Sequence, residues 1–196
     1  MILKPLPEVA YTVLGFLDEY LAHQFEEGSN LIQMFRASEA EKADRFAEHL
    51  ERLATQAGLP AQIDRRTDSW GKITFCSPTL APLINSVYVS RGMVPITITP
   101  EPGEADPVLH GGMISYAVFP PDDRNARIAF IRGAYQRYGL RNTFTFINAD
   151  HKVKLIERLL QELGSPRVNV TRSETIPATN EIEFEPTTEM LELFKN

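Results

Sequence analysis

The segment DDRNARIAFIRGAYQRYGLRNTFTFINADHKVKLIERLLQELG, residues 122–164, decides how this chain is read. Its first part sets Ile128, Ile131, Ala134, Tyr135 and Tyr138 at helical spacing, behind an Asp122 or Asp123 cap and ahead of a Gly139 stop. Thr143 to Asn148 then has the β-branched and aromatic content of a strand. Asp150 caps a second helix, in which Val153, Ile156, Leu159, Leu160 and Leu163 form one apolar stripe and Gly164 the stop. With the short apolar run Met113 to Phe119 before it and the strand-like Arg167 to Thr171 after it, the order is strand, helix, strand, helix, strand. Such an order favours right-handed crossovers, because a twisted strand feeding a helix packs back on its sheet with one hand. The expected class is α/β or α+β, with a mixed, partly parallel sheet, flanking helices and a helical N-terminal segment.

Towards the C-terminus, Glu181 to Glu185 reads as a further strand, able to form a hairpin with Arg167 to Thr171, and Thr188 to Phe194 as a short final helix. Towards the N-terminus, apolar residues recur at helical spacing from Glu8 to Phe25, including Val13, Phe16, Leu17 and Leu21, with Pro7 near the start and Gly28 as the stop. Ser38 and Glu41 match a capping box ahead of a second helix whose Phe46, Leu50, Leu53, Ala54 and Ala57 share a face, closed by Gly58 and Pro60. Leu31 to Arg36 fits a helical turn or a bridge equally well. Past Asp64 the period changes: Trp70 to Cys76 and Val94 to Thr99 read as strands, and the proline-rich, acidic Pro100 to Pro107 as an exposed loop. No internal repeat and no low-complexity tract is visible. A chain of 196 residues suits a single domain, 1–196, with a helical N-terminal segment at 1–60 and a sheet-containing core at 64–196. Phe46 and Leu50 are expected to be buried against that core.

Composition narrows the function classes. Hydrophobic residues make up 43% and charged residues 23%, which places the chain among folding sequences rather than disordered ones. No apolar run reaches the roughly 20 residues that cross a bilayer, and Met1 to Pro7 lacks the layout of a secretory signal, so the expectation is a cytoplasmic protein with no membrane partner. The single cysteine, Cys76, allows no internal disulfide and fits a reducing compartment; at the end of an apolar strand it reads as a small hydrophobe without chemistry. Asn169-Val170-Thr171 matches a glycosylation acceptor by chance. The charge is segregated: residues 1–119 carry net −6, residues 120–175 net +4 and residues 176–196 net −4.

The common catalytic fingerprints are absent: no dinucleotide-binding glycine spacing, no phosphate loop, no zinc-protease helix pair and no nucleophile elbow. If the strands at Met113–Phe119 and 143–148 are parallel neighbours, their carboxyl ends bring Asp122, Asp123, Asp150 and His151 to one sheet edge, where open α/β folds bind ligands. Carboxylates and an imidazole there could perform acid/base work, while the same Asp residues are also the preferred helix caps. His110, Gly111 and Gly112 form a second candidate, since glycines admit a ligand close to the backbone. The tripeptide resembles the His-Gly-Gly of hot-dog-fold thioesterases, a resemblance of three residues that implies a long following helix and departs at Pro120 and Pro121. Arg124 and Arg127 are ligand-binding candidates within the basic segment. Glu19, His23 and Glu27 would lie on one face of a continuous first helix. No metal site and no cofactor is expected. The leading functional expectation is a non-catalytic protein-interaction module, an inhibitor, immunity-type or adaptor protein with a protein partner. Its rivals are a small hydrolase or transferase working from the Asp/His edge, and nucleic-acid binding through residues 120–175.

Overall fold

The computed structural model describes residues 6–17, 23–26, 30–94, 109–140, 143–149, 152–172 and 180–194. Among them are helices α1 (Glu8–Phe16), α2 (Ala40–Ala57), α3 (Leu80–Asn85), α4 (Arg124–Tyr138), α5 (Val153–Glu162) and α6 (Thr188–Phe194). The strands are β1 (His23–Glu26), β2 (Leu31–Phe35), β3 (Asp64–Thr67), β4 (Ile73–Cys76), β5 (Tyr88–Val94), β6 (Leu109–Ile114), β7 (Thr145–Ile147), β8 (Val168–Arg172) and β9 (Asn180–Phe184). Three three-stranded sheets result, in the orders β2-β4-β3, β7-β9-β8 and β1-β6-β5.

The mixed α+β class is thus as expected, with one correction. Every strand pairing among the described residues is antiparallel, so the partly parallel sheet is not formed. The order strand, helix, strand misled because β6 and β7, with α4 between them, enter different sheets: β6 pairs with β1 and β5, and β7 with β9.

The chain also folds as two similar halves, which the sequence does not display. The succession helix, strand, helix, strand, strand, helix occurs as α1-β2-α2-β3-β4-α3 and again as α4-β7-α5-β8-β9-α6, and the two sheets share one strand order. Only the first half inserts β1 after its first helix; β1 joins the β5–β6 hairpin. The leading helices of the two halves pack directly on each other, and the packing is reciprocal. A Cβ added to Gly15 would lie 2.1 Å from the Phe130 carbonyl oxygen, and one added to Gly133 would lie 2.0 Å from that of Thr12. Each glycine stands three residues after the residue whose carbonyl its counterpart meets, which is the signature of a two-fold arrangement. No side chain fits between these backbones, so glycine is required at both positions.

Each half buries aromatic rings between its helices and the inner face of its sheet. Phe16, Phe35, Phe46 and Phe75 form one cluster with ring centroids 5.3–6.1 Å apart. Tyr135, Phe146, Phe184 and Phe194 form the other. Phe46 and Leu50 are fully buried, as the apolar stripe of α2 requires. Burying each such side chain stabilises the fold by about 1.5–3 kcal/mol.

The expected first helix is cut short. α1 ends at Phe16, Leu17 turns to extended backbone (ψ 146°), and His23 lies in β1. The stripe Glu19, His23, Glu27 is therefore not a helix face, and Glu19 and Glu27 lie outside the described residues. Periodicity carried the expectation past Phe16 because Leu21 and Phe25 keep the spacing. Leu31 to Arg36, which fitted two states, contains β2. α3 was not expected, since Pro82 within so short a run hides it. The expected loop at Pro100–Pro107 and most of the expected strand Val94–Thr99 lie outside the described residues.

Candidate functional site

At the C-terminal end of α1 sits a buried cation. Lys152, 1% exposed at the entry to α5, donates from Nζ to the carbonyl oxygens of Leu14 (2.8 Å), Gly15 (3.0 Å) and Leu17. The last carbonyls of a helix lack intrahelical donors, and a cation there also meets the negative end of the helix dipole. The ammonium lies 5.8 Å from the Phe130 ring centre and 5.6 Å from that of Tyr138, and the Tyr138 hydroxyl donates to the Leu17 carbonyl at 2.8 Å. In the other half Lys42, near the start of α2, donates to the Arg137 carbonyl at 2.6 Å near the end of α4. Each half thus sends a lysine from its second helix to the leading helix of the other.

The outer face of each sheet is polar. In the first, β3 and β4 place Asp64 opposite Cys76 and Arg66 opposite Thr74, while Met34 of β2 also faces Thr74. In the second, Asn169 and Thr171 face Glu183 and Glu181, and Thr145 and Ile147 of β7 face the same two glutamates. Arg172 is exposed at the end of β8, and Arg167 reaches Glu183 at 3.6 Å. The β3–β4 turn projects Trp70, 88% exposed. Asp68 shapes that turn: one carboxylate oxygen accepts from the backbone N–H groups of Trp70 and Lys72, both at 2.9 Å, and Gly71 supplies a left-handed φ of 75°. The indole thus stands in water on this turn, which Arg66 and Lys72 flank in sequence. The sequence carried the signal, since Arg65, Arg66, Trp70 and Lys72 fall within eight residues around an Asp-Ser-Trp-Gly turn, yet the segment from Trp70 reads first as a strand.

The positions singled out from sequence lie as follows. Asp123 caps α4, accepting from the Ala126 N–H at 2.9 Å. Asp122 borders a 340 Å³ recess together with Tyr116, Arg124, Arg127 and Glu162. Asp150 and His151 lie outside the described residues. The parallel pairing that would have gathered all four at one sheet edge is not formed. His110, Gly111 and Gly112 lie inside β6, and a 3-10 turn at Tyr116–Val118 follows in place of the long helix that the thioesterase resemblance implies. Arg124 donates to Glu189 and to the Leu163 carbonyl, both at 2.9 Å. Arg127 is buried, donating to Glu162 and to the carbonyls of Asp123 and Pro121. Glu162 also accepts from Tyr116 and Arg158, and these three donors hold its carboxyl below the ordinary carboxylate range against the opposing effect of burial. Cys76 is half-buried, and burial pushes its thiol above the ordinary value, away from nucleophile chemistry. Replacing Asp123 with Ala is expected to cost about 0.5–2 kcal/mol in urea unfolding, the usual value of a cap.

Among the described cations of residues 120–175, Arg124, Lys154, Arg158, Arg167 and Arg172 are exposed. Arg127, Arg137 and Lys152 are buried, and Arg124 and Arg158 are ion-paired.

The fold class these elements define is two repeated α+β halves joined through a reciprocal helix pair. Solved structures with the same fold include those of the homing endonuclease I-DmoI. Mesophilic variants of that protein match with a TM-score of 0.58 at 11% identity, covering 96% of this chain and 93% of that one. Its complex with DNA and Mn matches with a TM-score of 0.55, covering 96% and 94%, and its complex with DNA and Ca with 0.59, covering 96% and 88%, both at 11% identity. No protein-family model matches the chain. No curated protein matches it by sequence. At 11% identity the likeness establishes the fold. It also overturns the expectation of a protein-interaction module: the structures sharing this fold are of an endonuclease solved with DNA, so the inhibitor reading and the protein partner are withdrawn. Among the described residues no helix is long and apolar enough to cross a membrane.

Proposed function

We propose that this chain binds double-stranded DNA through the polar outer faces of its two repeated sheets and the Trp70 turn. The observation that carries the proposal is the repetition itself, in a fold shared with DNA complexes. Two like sheets related by a two-fold helix pair match a duplex, whose two strands are themselves related by two-fold axes. Arg66, Asn169, Thr171, Glu181 and Glu183 are side chains that hydrogen-bond base edges, and strands can enter a major groove. Few exposed cations accompany them, in keeping with the chain's net charge of −6. Phosphate contacts then supply a modest share of the affinity.

The Mn and Ca of the I-DmoI complexes have no matching donor set here: among the described residues no three His, Cys, Asp or Glu side chains come together to hold a metal ion. The proposal is accordingly one of binding.

Trp70 is the single tryptophan of the chain, so its emission reports directly on the β3–β4 turn. Titration with a short duplex at low salt is expected to quench that emission. With Lys72, Arg167 and Arg172 as the phosphate contacts, the slope of log K against log salt should be about −3. Trp70→Ala is expected to remove that signal and to weaken duplex binding measurably. Absence of duplex binding at low salt, or binding that neither touches Trp70 emission nor depends on salt, would sink the proposal.

A further inference from the structure

Successive side chains of a strand point to opposite faces of its sheet, so the polar run Asp64–Thr67 of β3 is divided between two environments. Arg65 turns to the helix side: its guanidinium carbon lies 5.6 Å from the centre of the Phe75 ring, and its Nη1 lies 2.7 Å from Asp44 of α2. Asp64 and Arg66 share the outer face with Cys76 and Thr74, their partners across β4, and with Met34 of β2 beyond Thr74. On that face Asp64 Oδ2 accepts from Arg66 Nε at 2.6 Å and also meets Nη2. Both side chains stand in water, Arg66 74% and Asp64 47% exposed.

An exposed ion pair adds little to stability, so the fold by itself does not account for this one. Its geometry has another consequence. A guanidinium carries five N–H donors in a planar fork, and a carboxylate oxygen on the Nε and Nη2 side occupies one edge of it. The end of the fork, where Nη1 and Nη2 stand side by side, keeps donors that point away from the carboxylate. Two parallel donors match the O6 and N7 acceptors that guanine presents in the major groove, whereas adenine sets a donor beside its single acceptor and opposes the same fork with an N–H group. Asp64 also acts on what Arg66 avoids: its negative charge counters the attraction of the guanidinium for phosphate, and its hydrogen bond restrains a long side chain before any base arrives. The corresponding strand of the second sheet, β8, directs Asn169 and Thr171 outward, opposite Glu183 and Glu181, so the arginine and its carboxylate belong to one half only.

We propose that Arg66, positioned by Asp64, reads a guanine in the half of the duplex that faces the first sheet. This rests on the duplex-binding reading above and adds to it the base and the residue that selects it. Arg66 donates from Nη1 and Nη2 to guanine O6 and N7. Asp64 is a positioning residue and touches no base. The guanine falls in one half of the bound site, since the second sheet has no equivalent pair.

The experiment selects the duplexes that the full-length protein binds at low salt from a library of randomised sequence, and repeats the selection with Arg66→Ala. A guanine position is expected in the parent's sequences that is lost from the variant's. Replacing that G·C pair with A·T should weaken the parent about five- to a hundredfold and leave Arg66→Ala unaffected. A base contact releases no counterion, so Arg66→Ala should keep the parent's slope of log K against log salt, whereas Lys72→Ala should make it shallower by about 1 and keep the guanine preference. Asp64→Ala should lower the preference severalfold and steepen the slope by about 1, because the released guanidinium is then free to meet phosphate. Both side chains are exposed, and circular dichroism checks that the variants fold. Selection of no guanine position, the same preference in Arg66→Ala as in the parent, or a loss in Arg66→Ala that is uniform across sequences with a shallower slope, overturns the guanine contact and leaves duplex binding standing. Absence of duplex binding by the parent removes both.

Discussion

Alanine at Gly15 or at Gly133 is expected to destabilise the protein by at least about 4 kcal/mol, enough to unfold a marginally stable domain. The new methyl would sit 2.1 Å from the Phe130 carbonyl oxygen and 2.8 Å from the Ala134 nitrogen in the first case, and 2.0 Å from the Thr12 carbonyl oxygen in the second. Flexible side chains can move aside for a methyl. These are main-chain atoms of a packed helix, so α1 and α4 must separate along their whole contact and open the core on both sides. Urea unfolding followed by far-ultraviolet dichroism reads the effect. Gly58→Ala is the control: that glycine has a left-handed φ of 66° but nothing within 4 Å of an added Cβ, so the cost is only the strain of an alanine in that conformation, about 1 kcal/mol. The double variant Gly15→Ala/Gly133→Ala should cost less than the sum of the two, because the first methyl already parts the helices. Strict additivity, or a cost no larger than that of Gly58→Ala, would show that the helix pair is not closed as described.

The second large effect is expected at Lys152. Lys152→Met keeps the length of the chain and removes the ammonium, leaving the Leu14, Gly15 and Leu17 carbonyls without that donor inside the protein. A loss of about 3–5 kcal/mol is expected, since each buried carbonyl that loses its donor costs about 1–3 kcal/mol. Lys152→Arg should not rescue, since a planar guanidinium does not fit where a compact ammonium meets three carbonyls between the Phe130 and Tyr138 rings. Lys42→Met tests the counterpart in the other half. Lys42 is 40% exposed, so water can replace its bond to the Arg137 carbonyl and its replacement should cost no more than about 1.5 kcal/mol. Equal costs at the two lysines would remove the distinction drawn between a buried and a solvated helix-end cation.

Local order was legible in the residues themselves. Gly139 and Gly164 mark the ends of α4 and α5, the Phe46 and Leu50 stripe predicts burial, and the final helix runs Thr188–Phe194 as its spacing implies. Each of these depends on atoms within a few residues of one another, and period, caps and stops report such neighbours directly. What the residues alone could not supply was partnership. β6 and β7 look like successive strands of one parallel sheet, yet hydrogen bonds to β1, β5 and β9 place them in two antiparallel ones, and no local pattern states which strand another will find. The duplication is equally silent, because two halves can share strand order and packing while their side chains differ: Phe46 and Phe75 in one half do the space-filling that Ile156 and Phe184 do in the other. Gly15 and Gly133 read as helix-weakening residues until their carbonyl neighbours are known, and Lys152 as a solvated first-turn lysine until the end of α1 is placed beside it. Sequence determined where the chain coils and which faces are apolar, since those follow from short-range geometry. The tertiary structure alone decided which backbones touch, which charges are buried and where a ligand has room, since those follow from contacts between residues some hundred positions apart.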